Sequence, residues 1–180
     1  TAENDAVIKF QQNSIAPGVT KSGDSVDYVE VHYDAENEEH HTANGVEWTV
    51  TIRNSNDDYS AENAGKILPM NGFTVKETIE TGYTYYGQMD TNMNSELGAT
   101  YGDWTAFYQI YDRYGTAVAD KKGYIIPKQN GTEITGPAAG ELEFVFNDVT
   151  LEEGQYMELK FMTSSAKLTT YEDPDSGEMV

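Results

Sequence analysis

The sequence predicts an all-β protein: an antiparallel β-sandwich of about ten strands, Ig-like or jelly-roll-like in arrangement. Three observations predict it. Apolar and polar residues alternate along several short runs, Asn-Gly pairs punctuate those runs, and no long apolar stripe has the spacing of three and four that a helix requires.

Composition sets the frame. The chain has 180 residues, enough for one sizeable core. Only 38% of it is hydrophobic, which fits strands that turn every second residue to water. Aromatics reach 12%, with 13 tyrosines, so the chain is too rich in core-forming residues to be disordered. Val, Ile, Thr and Tyr are common and Leu is scarce, a bias toward strands.

The alternation is explicit. Val46, Trp48, Val50 and Ile52 share one face, with Glu47, Thr49, Thr51 and Arg53 opposite. Leu142, Phe144 and Phe146 oppose Glu143, Val145 and Asn147, while Met157, Leu159 and Phe161 oppose Glu158, Lys160 and Met162. Asn44-Gly45, Asn71-Gly72 and Asn130-Gly131 each separate two extended runs. Such pairs accept positive φ at both centres of a type I′ turn, so each is expected to close a hairpin. "YDRYGTAV" reads as a longer fourth one. We expect a single sandwich over residues 1–170, a polar loop over 88–103 and an acidic tail over 171–180.

The first run, "AVIKFQQN", has no hairpin partner beside it. Ile8 and Phe10 fall on one face, and Val7, Lys9 and Gln11 on the other. "SIAPGVTKSGDS" separates it from the next strand and is too long for a tight turn. The strand can join its own sandwich. Alternatively Val7, Ile8, Lys9 and Phe10, within residues 1–12, can complete the sheet of another copy and build a homopolymer.

Charge and cysteine content remove whole classes. Thirty-one acidic residues against eleven basic ones give a net charge of −20, which repels nucleic acid and anionic lipid surfaces. With no cysteine, disulfides, thiolate metal sites and cysteine nucleophiles are excluded. No apolar run is long enough for a membrane-spanning helix, so membrane insertion is not expected. "TAEND" suits the mature end of an exported chain, and the expected location is extracellular, at the cell surface.

Chemistry-bearing residues are few. His32 is expected on the outward face of a strand, and His40 and His41 in a solvated loop, "AENEEHHTANG". No nucleophile elbow is present, and a non-catalytic role is expected. In "DTNMNSE", Asp90, Asn92, Asn94 and Glu96 place oxygen ligands at every second residue, a candidate calcium loop. It departs from the EF-hand pattern: Ser95 stands at the glycine position and Tyr101 at that of the bidentate glutamate. Calcium is the one cofactor considered; otherwise none is expected. Tyr85, Tyr86, Trp104, Phe107 and Tyr111 form a candidate aromatic platform for a glycan or another cell-surface ligand, or for a second subunit. Asn130 heads the sequon "NGT", a candidate glycosylation site.

"VEWTVTIRNSND", "GYTYYG" and "GELEFVFNDVTLEEGQYMELKF" together resemble the strand grammar of stalk, pilin and adhesin domains of Gram-positive cell surfaces. There an aromatic-alternating strand ends in Asn, and a late F-x-F-x-D-x-x-L-x-x-G-Q hairpin closes the sandwich. Filament subunits of the TasA type are similar more loosely, in general architecture. The resemblance covers about half the chain and implies a structural subunit or domain of a surface filament, pilus or adhesin. It also implies an intramolecular Lys–Asn isopeptide bond, pairing Lys9 with Asn147 beside an acid. The alternation opposes that pairing, because both residues fall on polar faces. A solvated lysine guarding a sheet edge is expected instead.

Overall fold

The computed structural model describes residues 6–9, 18–34, 39–54, 67–87, 104–136 and 138–165; for 6–9, 26–34, 39–44, 164 and 165 it defines strand pairing alone. The described residues hold eleven strands and no helix. In chain order these are β1 (Ala6–Lys9), β2 (Gly18–Asp34), β3 (Glu39–Arg53), β4 (Met70–Ile79), β5 (Tyr83–Gly87) and β6 (Ala106–Tyr111). They continue with β7 (Ala117–Ile125), β8 (Lys128–Gln129), β9 (Thr132–Glu133), β10 (Gly140–Leu151) and β11 (Tyr156–Ser165). All pairings are antiparallel and fall into two sheets. One has the order β1-β4-β10-β8-β9, the other β2-β3-β11-β6-β7, with β5 also pairing with β11.

The three alternating series form the core. Trp48, Val50 and Ile52 of β3 and Met157, Leu159 and Phe161 of β11 are buried beneath Leu142, Phe144 and Phe146 of β10 and Phe73, Val75 and Ile79 of β4. Phe144 stacks on Phe161 across the two sheets with ring centroids 5.7 Å apart. Tyr85 closes on both of those rings, at 6.0 and 5.6 Å. Gly23 stands opposite Trp48 on the neighbouring strand. A Cβ there would come within 2.6 Å of the indole, so glycine is what lets Trp48 lie over the edge of the sheet.

Of the three Asn-Gly pairs, one closes a hairpin. Asn130 (φ 52°) and Gly131 (φ 81°) join β8 to β9 as a type I′ turn demands. Asn71-Gly72 instead lies inside β4, where the register with β10 breaks between Phe146 and Thr150. Gly72 has φ 72° there. Asn44-Gly45 lies inside β3, where β2 carries one extra residue between Val26 and Val29. At both places the extra residues stand on the partner strand, one in β2 and two in β10, so each Asn-Gly pair lies opposite an irregularity of the ladder. The positive φ of Gly72 shows that an irregular ladder, like a turn, can call for glycine, so the dipeptide alone does not separate the two. The fourth expected hairpin is present between β6 and β7, where the Asp112 carboxylate accepts from the amides of Tyr114 and Thr116, both at 2.9 Å.

With Asn44-Gly45 inside a strand, β2 and β3 become long. β3 pairs with β11 only over Gly45–Arg53, and among the described residues its first part pairs with β2 alone. The two strands therefore run on past that sheet as a two-stranded ribbon. His40 and His41, expected in a loop, are strand residues of that ribbon.

The first strand docks in its own chain. β1 lies on β4 with Ala6 opposite Glu77 and Lys9 opposite Thr74. Position 8 shares a rung with the buried Val75 and Phe144, and position 9 shares one with Thr74 and Val145. β4 stands between β1 and β10. The strands that carry Lys9 and Asn147 are thus two spacings apart, about 9–10 Å, and Asn147 lies two residues beyond Val145, which shares the rung of Lys9. Asn147 is also exposed. The fold keeps the implied crosslinking pair apart.

Candidate functional site

The residues of β4 that face the core are Phe73, Val75, Glu77 and Ile79, so a carboxylate sits in phase with an apolar series. On β2, Lys21 lies opposite Val50, also on an inner row. The two side chains meet: Lys21 Nζ donates to Glu77 Oε1 in a direct ion pair. The lysine side chain is 8% exposed and the glutamate side chain 0%. The Lys21 ammonium lies 4.3 Å from the Trp48 ring centroid and 5.5 Å from that of Phe161. A charged pair thus bridges the two sheets, and an aromatic wall shields it from water. On the outer face of β4, Lys76 makes the ordinary kind of surface pair, 2.9 Å from Glu141 and 3.1 Å from Glu143.

The two motifs behind the resemblance meet in space. Asn54, which ends the "VEWTVTIRN" run, is buried, and its amide donates to the carbonyls of Leu68 (3.0 Å) and Leu151 (2.8 Å). Its own N–H donates to the Gln155 carbonyl at 2.9 Å, while the Gly154 N–H donates to its carbonyl at 3.3 Å. One asparagine therefore ties the end of β3 to the residues before β4 and to the β10–β11 turn.

The aromatic platform divides. Tyr85 is fully buried and belongs to the core, which corrects its place in the platform. In "GYTYYG" rings occupy both phases of the strand, and pairing of Tyr85 with the buried Thr163 decides which phase faces inward. Burial pushes the Tyr85 phenol well above its ordinary pKa. Its hydroxyl donates to the Trp104 carbonyl at 3.1 Å. Trp104 itself has φ 53°, an unusual conformation for a bulky residue. Gly87 (φ 77°) packs beneath that bend, where a Cβ would meet the Thr105 carbonyl at 2.6 Å.

The other platform residues are half-buried. Tyr86 and Trp104 pair at 6.0 Å, and Phe107 meets Tyr124 edge-on at 5.9 Å. Tyr111 stacks on Tyr156 at 5.1 Å and 15°, and Arg53 covers Tyr156 from the neighbouring strand at 4.3 Å. Tyr156 is therefore held between two side chains, and this end of the row is occupied by its own members. Gln109, between the pairs, donates to the carbonyls of Ile110, Val118 and Lys121, holding the irregular β6–β7 register.

Asn130 is exposed at its hairpin tip. The calcium candidates Asp90, Asn92, Asn94 and Glu96 lie outside the described residues, as does Phe10. Among the described side chains, no group of three or more His, Asp or Glu is placed to hold a metal. Glu77 was missed in the sequence although a signal was available, a charge in phase with the buried Phe73, Val75 and Ile79; Lys21, whose in-phase neighbours are the partly buried Val19 and the exposed Gly23, gave no such signal.

Comparison with protein-family models, with curated proteins and with solved structures finds no match.

Proposed function

We propose that this chain is a non-catalytic extracellular structural subunit or domain of a surface filament, pilus or adhesin, joined to further copies through its first strand. The observation that carries the reading is the position of β1. It is a four-residue edge strand held by main-chain pairing to β4 alone among the named strands. An edge strand of this kind can be exchanged at little cost, because the same segment of another copy would occupy the same rungs with the same register. Repeated head to tail, the exchange gives an open polymer. The Asn54 staple, which joins the end of β3 to the β10–β11 turn, suits a module that must hold together under load.

Deleting residues 1–12 tests this reading. The truncated chain should stay folded by circular dichroism and lose any polymers formed by the full chain. A peptide of sequence DAVIKFQQN should then bind it in trans. A full-length chain that stays monomeric at high concentration, with a deletion that unfolds it, refutes the proposal.

A second reading, glycan retention, is favoured by Trp104 alone. Its backbone strain is maintained by a buried tyrosine hydroxyl and an obligatory glycine, and strain held in this way is characteristic of binding positions. Loss of glycan-array binding in Trp104→Ala, with an unchanged circular dichroism spectrum, would support it.

A further inference from the structure

β1 and β2 are edge strands on the same side of the sandwich: β1 ends one sheet beside β4, and β2 ends the other beside β3. They share no ladder, yet Cα atoms of the two come within 8 Å of each other across the gap between the sheets. The Lys21–Glu77 pair spans that same gap, from β4 to the edge strand β2. Ala6 shares the rung of Glu77, so the backbone of β1 starts beside the carboxylate. Trp48 and Phe161 wall the ammonium on the core side. Among the described strands, β1 is the one that closes the other side.

This placement couples the pair to the strand. Withdrawing two charges from water carries a desolvation penalty that their mutual attraction offsets only in part. With β1 docked the pair bears that penalty, at 8% exposure for the lysine side chain and 0% for the glutamate. With β1 withdrawn, the gap admits water and both charges recover hydration. Compared with an apolar pair of the same volume, Lys21 and Glu77 therefore favour the state in which the place of β1 is vacant.

We propose that the Lys21–Glu77 pair is a release device for β1. It loosens the hold of the chain on its own first strand, so that the strand can be exchanged for that of a second copy. The use of the device rests on the strand-exchange reading above; the coupling of the pair to β1 is a property of the single chain. Its sign separates it from a structural tie, whose removal would loosen β1 rather than tighten it.

Native-state hydrogen exchange on the dilute full chain, resolved by mass spectrometry, tests the sign. β1 with its β4 rungs reports local opening, and β11, which lies between β3 and β6, reports opening of the whole sandwich. In Lys21→Met/Glu77→Leu, protection of β1 should rise about tenfold or more relative to that of β11. In Glu77→Gln the ammonium stays without the Glu77 charge and gains more from hydration, so protection of β1 should fall relative to β11. Opposite shifts in the two variants are the expected result. Absence of polymers from the parent at high concentration, with those shifts intact, would refute the strand-exchange reading and not the coupling. The release device is overturned if the double variant leaves the relative protection of β1 unchanged or lowers it, or if both variants shift it in the same direction.

Discussion

The buried tie between the sheets allows a quantitative test. Glu77→Leu leaves the Lys21 ammonium facing Trp48 and Phe161 with its carboxylate gone, and Lys21→Met leaves the Glu77 carboxylate at 0% exposure without its ammonium. Breaking a buried pair from one side costs about 3–5 kcal/mol, because the remaining charge keeps its desolvation penalty. For a chain of this length that is roughly a 6–20 °C fall in Tm. The double variant Lys21→Met/Glu77→Leu removes both penalties and fills similar volume, so it should range from neutral to about 4 kcal/mol more stable than the parent. Lys21→Met also loses the contact with the indole, worth about 0.5–2 kcal/mol, so the lysine variant sets the upper end of the single-site costs. Urea denaturation followed by tryptophan fluorescence measures all four proteins, and the coupling term of the cycle should be several kcal/mol. Single variants costing under about 1 kcal/mol, the range of an exposed pair, would refute the shielding. A double variant as unstable as the sum of the singles would refute the coupling.

Tyr85→Phe removes the donor to the Trp104 carbonyl and should cost about 1–3 kcal/mol in the same assay. The raised pKa of this phenol has a sign: its contribution is fully present below about pH 10, its unfolded value, and is lost as pH rises through the higher folded value. Alkaline unfolding should therefore be shallower in Tyr85→Phe than in the parent. Intact mass spectrometry should show no loss of ammonia, about 17 Da, because Lys9 and Asn147 are held apart. A deficit mapped to those two peptides would overturn the register of β1.

The sandwich itself is written in the alternation. In Val46–Ile52, Leu142–Phe146 and Met157–Phe161 apolar residues recur with period two, and only a sheet buried on one face satisfies that pattern, whatever its neighbours. The Asn130-Gly131 hairpin is legible for the same reason: both of its turn positions are local and need nothing from elsewhere in the chain. What the sequence leaves open is what depends on a partner strand. Asn44-Gly45 and Asn71-Gly72 lie inside strands, opposite irregularities of β2 and β10, rather than at turns, because the strands beside them continue past them. Tyr85 went inward and Tyr86 outward because β11 fixed the phase of a run that is aromatic at both phases. Lys21 and Glu77, 56 residues apart, became a pair only when two sheets closed over them. His32 and His41 share a rung only because the register of β2 on β3 sets them there. Alternation is a property of one strand and can be read from it. Register and sheet packing are properties of two strands or two sheets, and long-range contacts decide them.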